Sequence, residues 1–304
     1  MLGNQELLVL ISPDDVGVRN HLLEVFDDRW RKFGKEMRRC KRKLSEPSVH
    51  DLRVATRRLL SVLEILVGLV PDGSLKKTRQ ELKKYLKMFG PLRDVQMEIT
   101  YIGGMMERYP VLESFLTILK LSERRLTKRM EREIGRMRLA LFEKRLMIGR
   151  EHLERVLRND TARSAVRSAL VGVLATTFAK AMGFHSRLDP ADTETIHTLR
   201  VAFKKFRYTA EALCGLLPGI SDNQLESMHL YQQRMGEIQD IEVLAANVRA
   251  IRSRRRIMTD DALIQVEREL AERREELVRS FMAIVHELST FWKHGAPLLT
   301  YSSS

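Results

Sequence analysis

Apolar residues recur along this chain in steps of three and four. Leu22, Leu23, Phe26, Trp30, Phe33 and Met37 form one stripe, while Arg31, Lys35, Arg38, Arg39, Arg42 and Lys43 take the other side. That is the pattern of a helix with one buried and one basic face. Ser12-Pro13-Asp14-Asp15 predicts a cap before this helix, which should reach about Leu44, and Ser45-Glu46-Pro47-Ser48 predicts its break. A second helix is predicted from about Val49 to Val70, closed by Pro71-Asp72-Gly73. A third runs from near Ser74 to Gly90-Pro91, where Pro91 suits the first turn of a fourth. Pro110 opens one long charged helical stretch through Leu157, and Asn159-Asp160-Thr161 caps the next helix. Asp189-Pro190 and Thr193 precede another, which stops at Pro218-Gly219; Ser221-Asp222-Asn223 and Thr259-Asp260-Asp261 start the last two. No segment alternates with period two, so the chain is expected to be all-α.

Two blocks repeat in the same order. Val49–Leu59 matches Ile196–Phe206, which sets His197 against His50 at an offset of 147 residues. Phe89-Gly90-Pro91-Leu92-Arg93-Asp94-Val95 matches Met235-Gly236-Glu237-Ile238-Gln239-Asp240-Ile241 at an offset of 146. The two offsets agree within one residue, as an internal duplication requires. The chain therefore divides into an N-terminal segment (1–13), two helical-bundle halves of about four helices each (14–158 and 159–296) and a short tail (297–304).

On a helical wheel the repeated block separates cleanly. His50, Arg53 and Arg57 share a side, opposite Leu52, Ala55, Leu59, Val62 and Leu66. In the second copy His197, Arg200, Lys204 and Arg207 oppose Leu199, Ala202, Phe206 and Leu213. Arg58 and Lys205 flank the two rows, and Tyr208 follows Arg207. Arg presents a planar fork of donors suited to phosphate oxygens, and Lys adds a compact charge. Cations one turn apart, roughly 5 Å, suit a linear polyanion. The cations around His50 and His197 are expected to disfavour imidazolium, so that binding takes up protons as pH falls from about 7 toward 6.

Charge strengthens this reading. Lys and Arg number 53 against 40 Asp and Glu, a formal net charge of +13, which predicts a polyanionic partner. Hydrophobic residues at 44% suffice for a packed core. The two cysteines, Cys40 and Cys214, form no CxxC pair, so neither a zinc site nor a disulfide framework is expected, and reduced thiols in a cytosol fit best. The N-terminal apolar run is too short to span a membrane and follows no basic region, and no other stretch approaches a span; no membrane insertion and no cofactor or metal are expected.

The two His-containing blocks, followed by GPLRDV and GEIQD, resemble the CHAD family (conserved histidine α-helical domain) from about residue 14 to 296. The resemblance implies two four-helix bundles related by a pseudo-twofold axis, whose basic residues line a cavity that binds inorganic polyphosphate without catalysis. It implies a cytoplasmic protein associated with polyphosphate granules. It assigns binding to His50, Arg53, Arg57 and Arg58 in the first half and to His197, Arg200, Lys204, Lys205, Arg207 and Tyr208 in the second. Two positions depart from symmetry: Leu60 aligns with Arg207, and Gln239 with Arg93.

Other functions fit less well. The Glu-x-Glu-x-Lys triplet of the hydrolase often fused to this family is absent, since Glu131-Arg132-Glu133 leads into Ile134-Gly135. A His-Asp phosphohydrolase would use His50-Asp51, but the neighbouring cations repel a divalent metal and the second copy reads His197-Thr198. Nucleic acid is the main competing polyanion; aromatics at 6% supply few stacking platforms for single strands. Acidic protein partners are a third class, for the helix around Glu123 to Arg158 and the run Arg252 to Arg256.

Overall fold

A computed structural model describes residues 15–70, 73–158, 163–216, 220–255 and 261–292. They form helices α1 (Asp15–Arg42), α2 (Glu46–Leu69), α3 (Gly73–Met88), α4 (Gly90–Met105), α5 (Glu113–Gly135), α6 (Leu139–Arg158), α7 (Arg163–His185), α8 (Thr193–Leu213), α9 (Asp222–Arg255) and α10 (Asp261–Ile284), with short 3-10 turns at Pro110–Leu112 and Val285–Thr290. No strand occurs among the described residues, so the all-α expectation holds. The predicted caps at 12–14, 159–161 and 259–260, the stops at 71–72 and 218–219, the N-terminal segment and the tail lie outside the described residues.

One boundary differs from the sequence reading. The stretch expected to run unbroken from Pro110 to Leu157 is two helices, parted at Arg136–Arg138. The break needs no proline: after Gly135 the Arg136 amide is shared among the carbonyls of Arg132, Glu133 and Ile134, which ends the helical ladder. The Gly90-Pro91 break between α3 and α4 has no counterpart at Gly236-Glu237, where α9 runs through. Proline removes an amide donor and forces the break; glutamate at the matching place does not.

Packing is local within each stretch. α1 lies on α2 and α6, α3 on α2 and α6, and α4 on α5; further along, α7 lies on α8, α8 on α9 and α9 on α10. Trp30, Phe33 and Phe142 stack at 5.4–5.8 Å between centroids in the first core. In the second, Phe203, Tyr231 and Phe291 sit at 4.9–5.7 Å, and Tyr231 donates its hydroxyl to the Val285 carbonyl at 3.1 Å. α3 and α6 approach closely at Gly149, where a Cβ would lie 2.2 Å from Leu75 Cδ2.

The expectation that no stretch approaches a membrane span needs correcting for α7: residues 165–185 are long and apolar enough by composition, at a mean hydropathy of 1.3. In this fold α7 instead packs on α8, α2 and the terminal 3-10 turn. The two stretches meet where α2 packs on α8.

Candidate functional site

α2 and α8 are started in matching register by different caps. Ser45 and Ser48 form a reciprocal capping box for α2, with Ser45 N donating to Ser48 Oγ at 2.9 Å. Asp192 caps α8 through the Glu194 amide at 3.0 Å. His50 and His197 each fall on the fifth helical residue, so the rows that follow are in step.

Those rows converge where α2 crosses α8. Arg57 and Arg53 of α2 and Arg200 of α8 all act on Lys204, and Arg57 also acts on Arg200. Burial first, then these three cations, push the Lys204 ammonium down to about 6, against a weaker pull from Asp240. Burial and then Arg57 lower Arg53 to about 10. Two carboxylates answer this charge. Burial raises Asp94, opposed by Arg53, Arg93 and Arg57; burial raises Asp240, opposed by Arg200, Arg93 and Lys204. Both carboxylates keep solvent-exposed surface, so the cluster is open rather than sealed.

The repeated Gly-x-x-x-Asp now has a physical meaning. A Cβ on Gly90 would stand 3.7 Å from Arg53 Nη1, and one on Gly236 would stand 3.4 Å from Arg200 Nη2. At each glycine a guanidinium lies against the facing helix, at a distance where a Cβ would just make contact, and each Asp one turn later supplies charge. The two arginines differ in what they find there. Arg53 donates to the Leu86 carbonyl at 2.8 Å, one of the acceptors freed where α3 ends. Because α9 does not break, Arg200 meets no such carbonyl, and its buried Nε has no hydrogen-bond partner among the described residues.

The CHAD-domain profile matches residues 24–249, about three quarters of the sequence. The chain belongs to the CHAD-domain family. The crystal structure of the CHAD domain from the plant Ricinus communis superposes at a TM-score of 0.65 and 14% identity, over 88% of this chain and 91% of that one. PptA from Streptomyces chartreusis superposes at 0.57 and 14% identity, over 89% and 98%. At that identity the likeness concerns the fold. No curated protein sequence matches significantly.

Not every basic residue expected from the CHAD resemblance enters the cluster. Arg58 pairs through Nε with Glu211 at 2.8 Å, and Lys205 pairs with Glu64 at 3.2 Å. Arg207 is buried, donates from Nε to Gln232 at 2.9 Å, lies 3.5 Å from Glu211 and stacks 4.3 Å over the Tyr208 ring. Tyr208 is itself buried, beside Arg200. His50 is exposed, and His197 Nδ1 is hydrogen-bonded to Gln239 Oε1 on α9. Arg93, not singled out for binding, sits between Asp94 and Asp240 and pairs with Glu46. Its place in the repeated block, next to Asp94, is the signal the sequence carries. Among the described residues no three His, Cys, Asp or Glu side chains cluster as a metal site would require.

Proposed function

We propose that this chain binds inorganic polyphosphate, without catalysing a reaction, in the seam between α2 and α8. One observation carries this reading: Arg53, Arg57, Arg200 and Lys204, two from each stretch, crowd together with so little counter-charge that Lys204 is driven toward neutrality. A phosphate chain supplies the missing negative charge and an acceptor for Arg200 Nε. Arg93 joins this set. Arg58, Lys205 and Arg207 support it from behind, through Glu211 and Glu64. His50 and His197 flank it at the helix N-terminal ends, and Tyr208 backs Arg200.

We further read residues 14–158 and 159–296 as duplicated halves about a pseudo-twofold axis. The Arg58–Glu211 and Lys205–Glu64 pairs support this, since both partners exchange at the same offset of 147 residues. A four-helix bundle is supported in the first half by α1, α2, α3 and α6, each packed on two of the others. A cytoplasmic location at polyphosphate granules is consistent with this role.

Nucleic acid is the alternative polyanion. A single strand would need exposed rings, yet the ring beside Arg200 is buried Tyr208, already stacked under Arg207. The test is a salt titration of long-chain polyphosphate binding by wild type and Arg57→Ala/Lys204→Ala. The variant should bind more weakly, with a salt slope shallower by about two. Undetectable wild-type binding, or tighter binding of RNA at matched charge, would overturn the proposal.

A further inference from the structure

The seam does not account for a second strongly basic surface, on α1. From Arg31 to Arg42, α1 carries Arg31, Lys32, Lys35, Arg38, Arg39, Lys41 and Arg42 against one acidic residue, Glu36. Arg31, Lys35, Arg38 and Arg42 step by four, three and four, which sets them in one line about 16 Å long. All four are exposed. The nearby carboxylates are already engaged: Asp28 with Lys32 at 3.0 Å, and Glu36 and Asp51 with Arg39. Lys35, Arg38 and Arg42 form no ion pair among the described residues.

Packing does not require this ridge. α7 opens the second stretch as α1 opens the first, lies on α8 as α1 lies on α2, and carries only Arg163, Arg167 and Lys180 as cations. The ridge also borders a concavity. A groove of about 250 Å³ between α1 and α2 has Val54 and Ala55 in its lining, with Arg29, Lys32, Lys35 and Arg58 against Glu36 and Asp51 around them. Arg58 follows directly on Arg57 of the seam, so groove and seam are neighbours on α2. By contrast, the cleft of about 950 Å³ between α4 and α10 sets Arg108, Arg268, Arg273 and Arg279 against Glu269, Glu272 and Glu276. Its surplus of cations is smaller than the groove's, and among the described residues no exposed cationic line runs beside it.

We propose that the α1 ridge and its groove are a second polyphosphate-binding surface, engaged by chains long enough to extend beyond the seam. This rests on the reading of the seam as a polyphosphate site and adds the basis of a chain-length preference. An exposed line of flexible cations contributes mainly by counterion release, so its contribution is salt-sensitive and additive along the chain.

The experiment uses the full chain and the variant Lys35→Gln/Arg38→Gln/Arg42→Gln, whose changes are exposed and keep good helix formers. Binding of short-chain polyphosphate, long-chain polyphosphate and RNA of matched charge is titrated against salt. The variant should bind short chains like wild type, lose about tenfold on long chains, and show a long-chain salt slope shallower by two to three units, about one per lost cation. Wild-type-like binding of long chains would overturn the proposal, as would equal losses on short and long chains or a loss confined to RNA. The seam reading fails separately, if Arg57→Ala/Lys204→Ala binds short chains as wild type does.

Discussion

Glu211 on α8 forms an ion pair with Arg58 of α2 at 2.8 Å, and six residues away on each helix the relation is returned, with Lys205 of α8 on Glu64 of α2. The two ends are not equal in burial. Glu211 also takes Arg29 at 3.0 Å and Arg207 at 3.5 Å, and its side chain is only 13% exposed. Glu64 is shared by Lys205 and Lys83, both more than half exposed. Burial alone would raise the Glu64 carboxyl, but the two lysines outweigh it and hold it below its ordinary value.

Glu211→Gln should therefore cost about 3 kcal/mol of stability, because it strands buried Arg207 without a counter-charge and leaves nearly buried Arg29 with only Asp28, 3.6 Å away. Glu64→Gln should cost under about 1 kcal/mol, since its lysines turn to water. Chemical denaturation of the two variants checks the difference. Equal costs would show that the crossing is not held in the way its burial implies.

Gly236→Ala should move stability and binding in opposite directions. Gly236 lies inside α9, where alanine is favoured by about 0.5–1 kcal/mol. The added methyl meets Arg200 Nη2 at 3.4 Å, the tight edge of ordinary contact, so the guanidinium is barred from any closer approach to α9. The expected result is an unchanged or raised melting temperature with polyphosphate affinity about threefold weaker. A variant that gains stability and keeps full affinity would remove the positioning role of this glycine.

The sequence made the repeat, the helices and the two cationic rows legible, because periodicity and punctuation are local properties. It left open whether the rows meet, which depends on how α2 crosses α8. A helical wheel places Arg58 and Lys205 beside Arg57 and Lys204, yet cannot distinguish a cation facing a ligand from one facing a carboxylate on another helix. Arg207 illustrates the same limit: it shares a side with Arg200 and Lys204 but meets Gln232 of α9, which covers it. Gly90 and Gly236 are legible only as part of the repeat, since the guanidiniums beside them come from distant segments. The α5–α6 break is not legible, because neither proline nor a polar cap marks it.

Gly149→Ala tests the packing behind the first basic row. The new methyl would fall 2.2 Å from Cδ2 and 2.6 Å from Cγ of Leu75, which is fully buried. Leu75 must take another rotamer inside the core, or α3 and α6 must separate. A loss of about 1–3 kcal/mol is expected from denaturant unfolding, against the gain usual for glycine to alanine within a helix. A neutral or stabilised variant would place α6 farther from α3.

Lys204 gives the site a pH dependence that periodicity had pointed to in His50 and His197. Its folded pKa, about 6, lies far below the ordinary value of 10.5. Between those two values the unfolded chain holds a proton that the empty folded site does not, so stability should rise with pH across that window. Below pH 6 both states are protonated and the slope disappears. Lys204→Met removes the titrating amine and should flatten the curve while raising stability near neutral pH. Polyphosphate reverses the balance: its charge restores the ammonium, so binding at pH 7 takes up a proton and tightens as pH falls toward 6. Calorimetry in buffers of different ionisation enthalpy reads that proton directly. Uptake that persists in Lys204→Met would assign it to other groups, with Asp94 and Asp240, both raised by burial, the next to test.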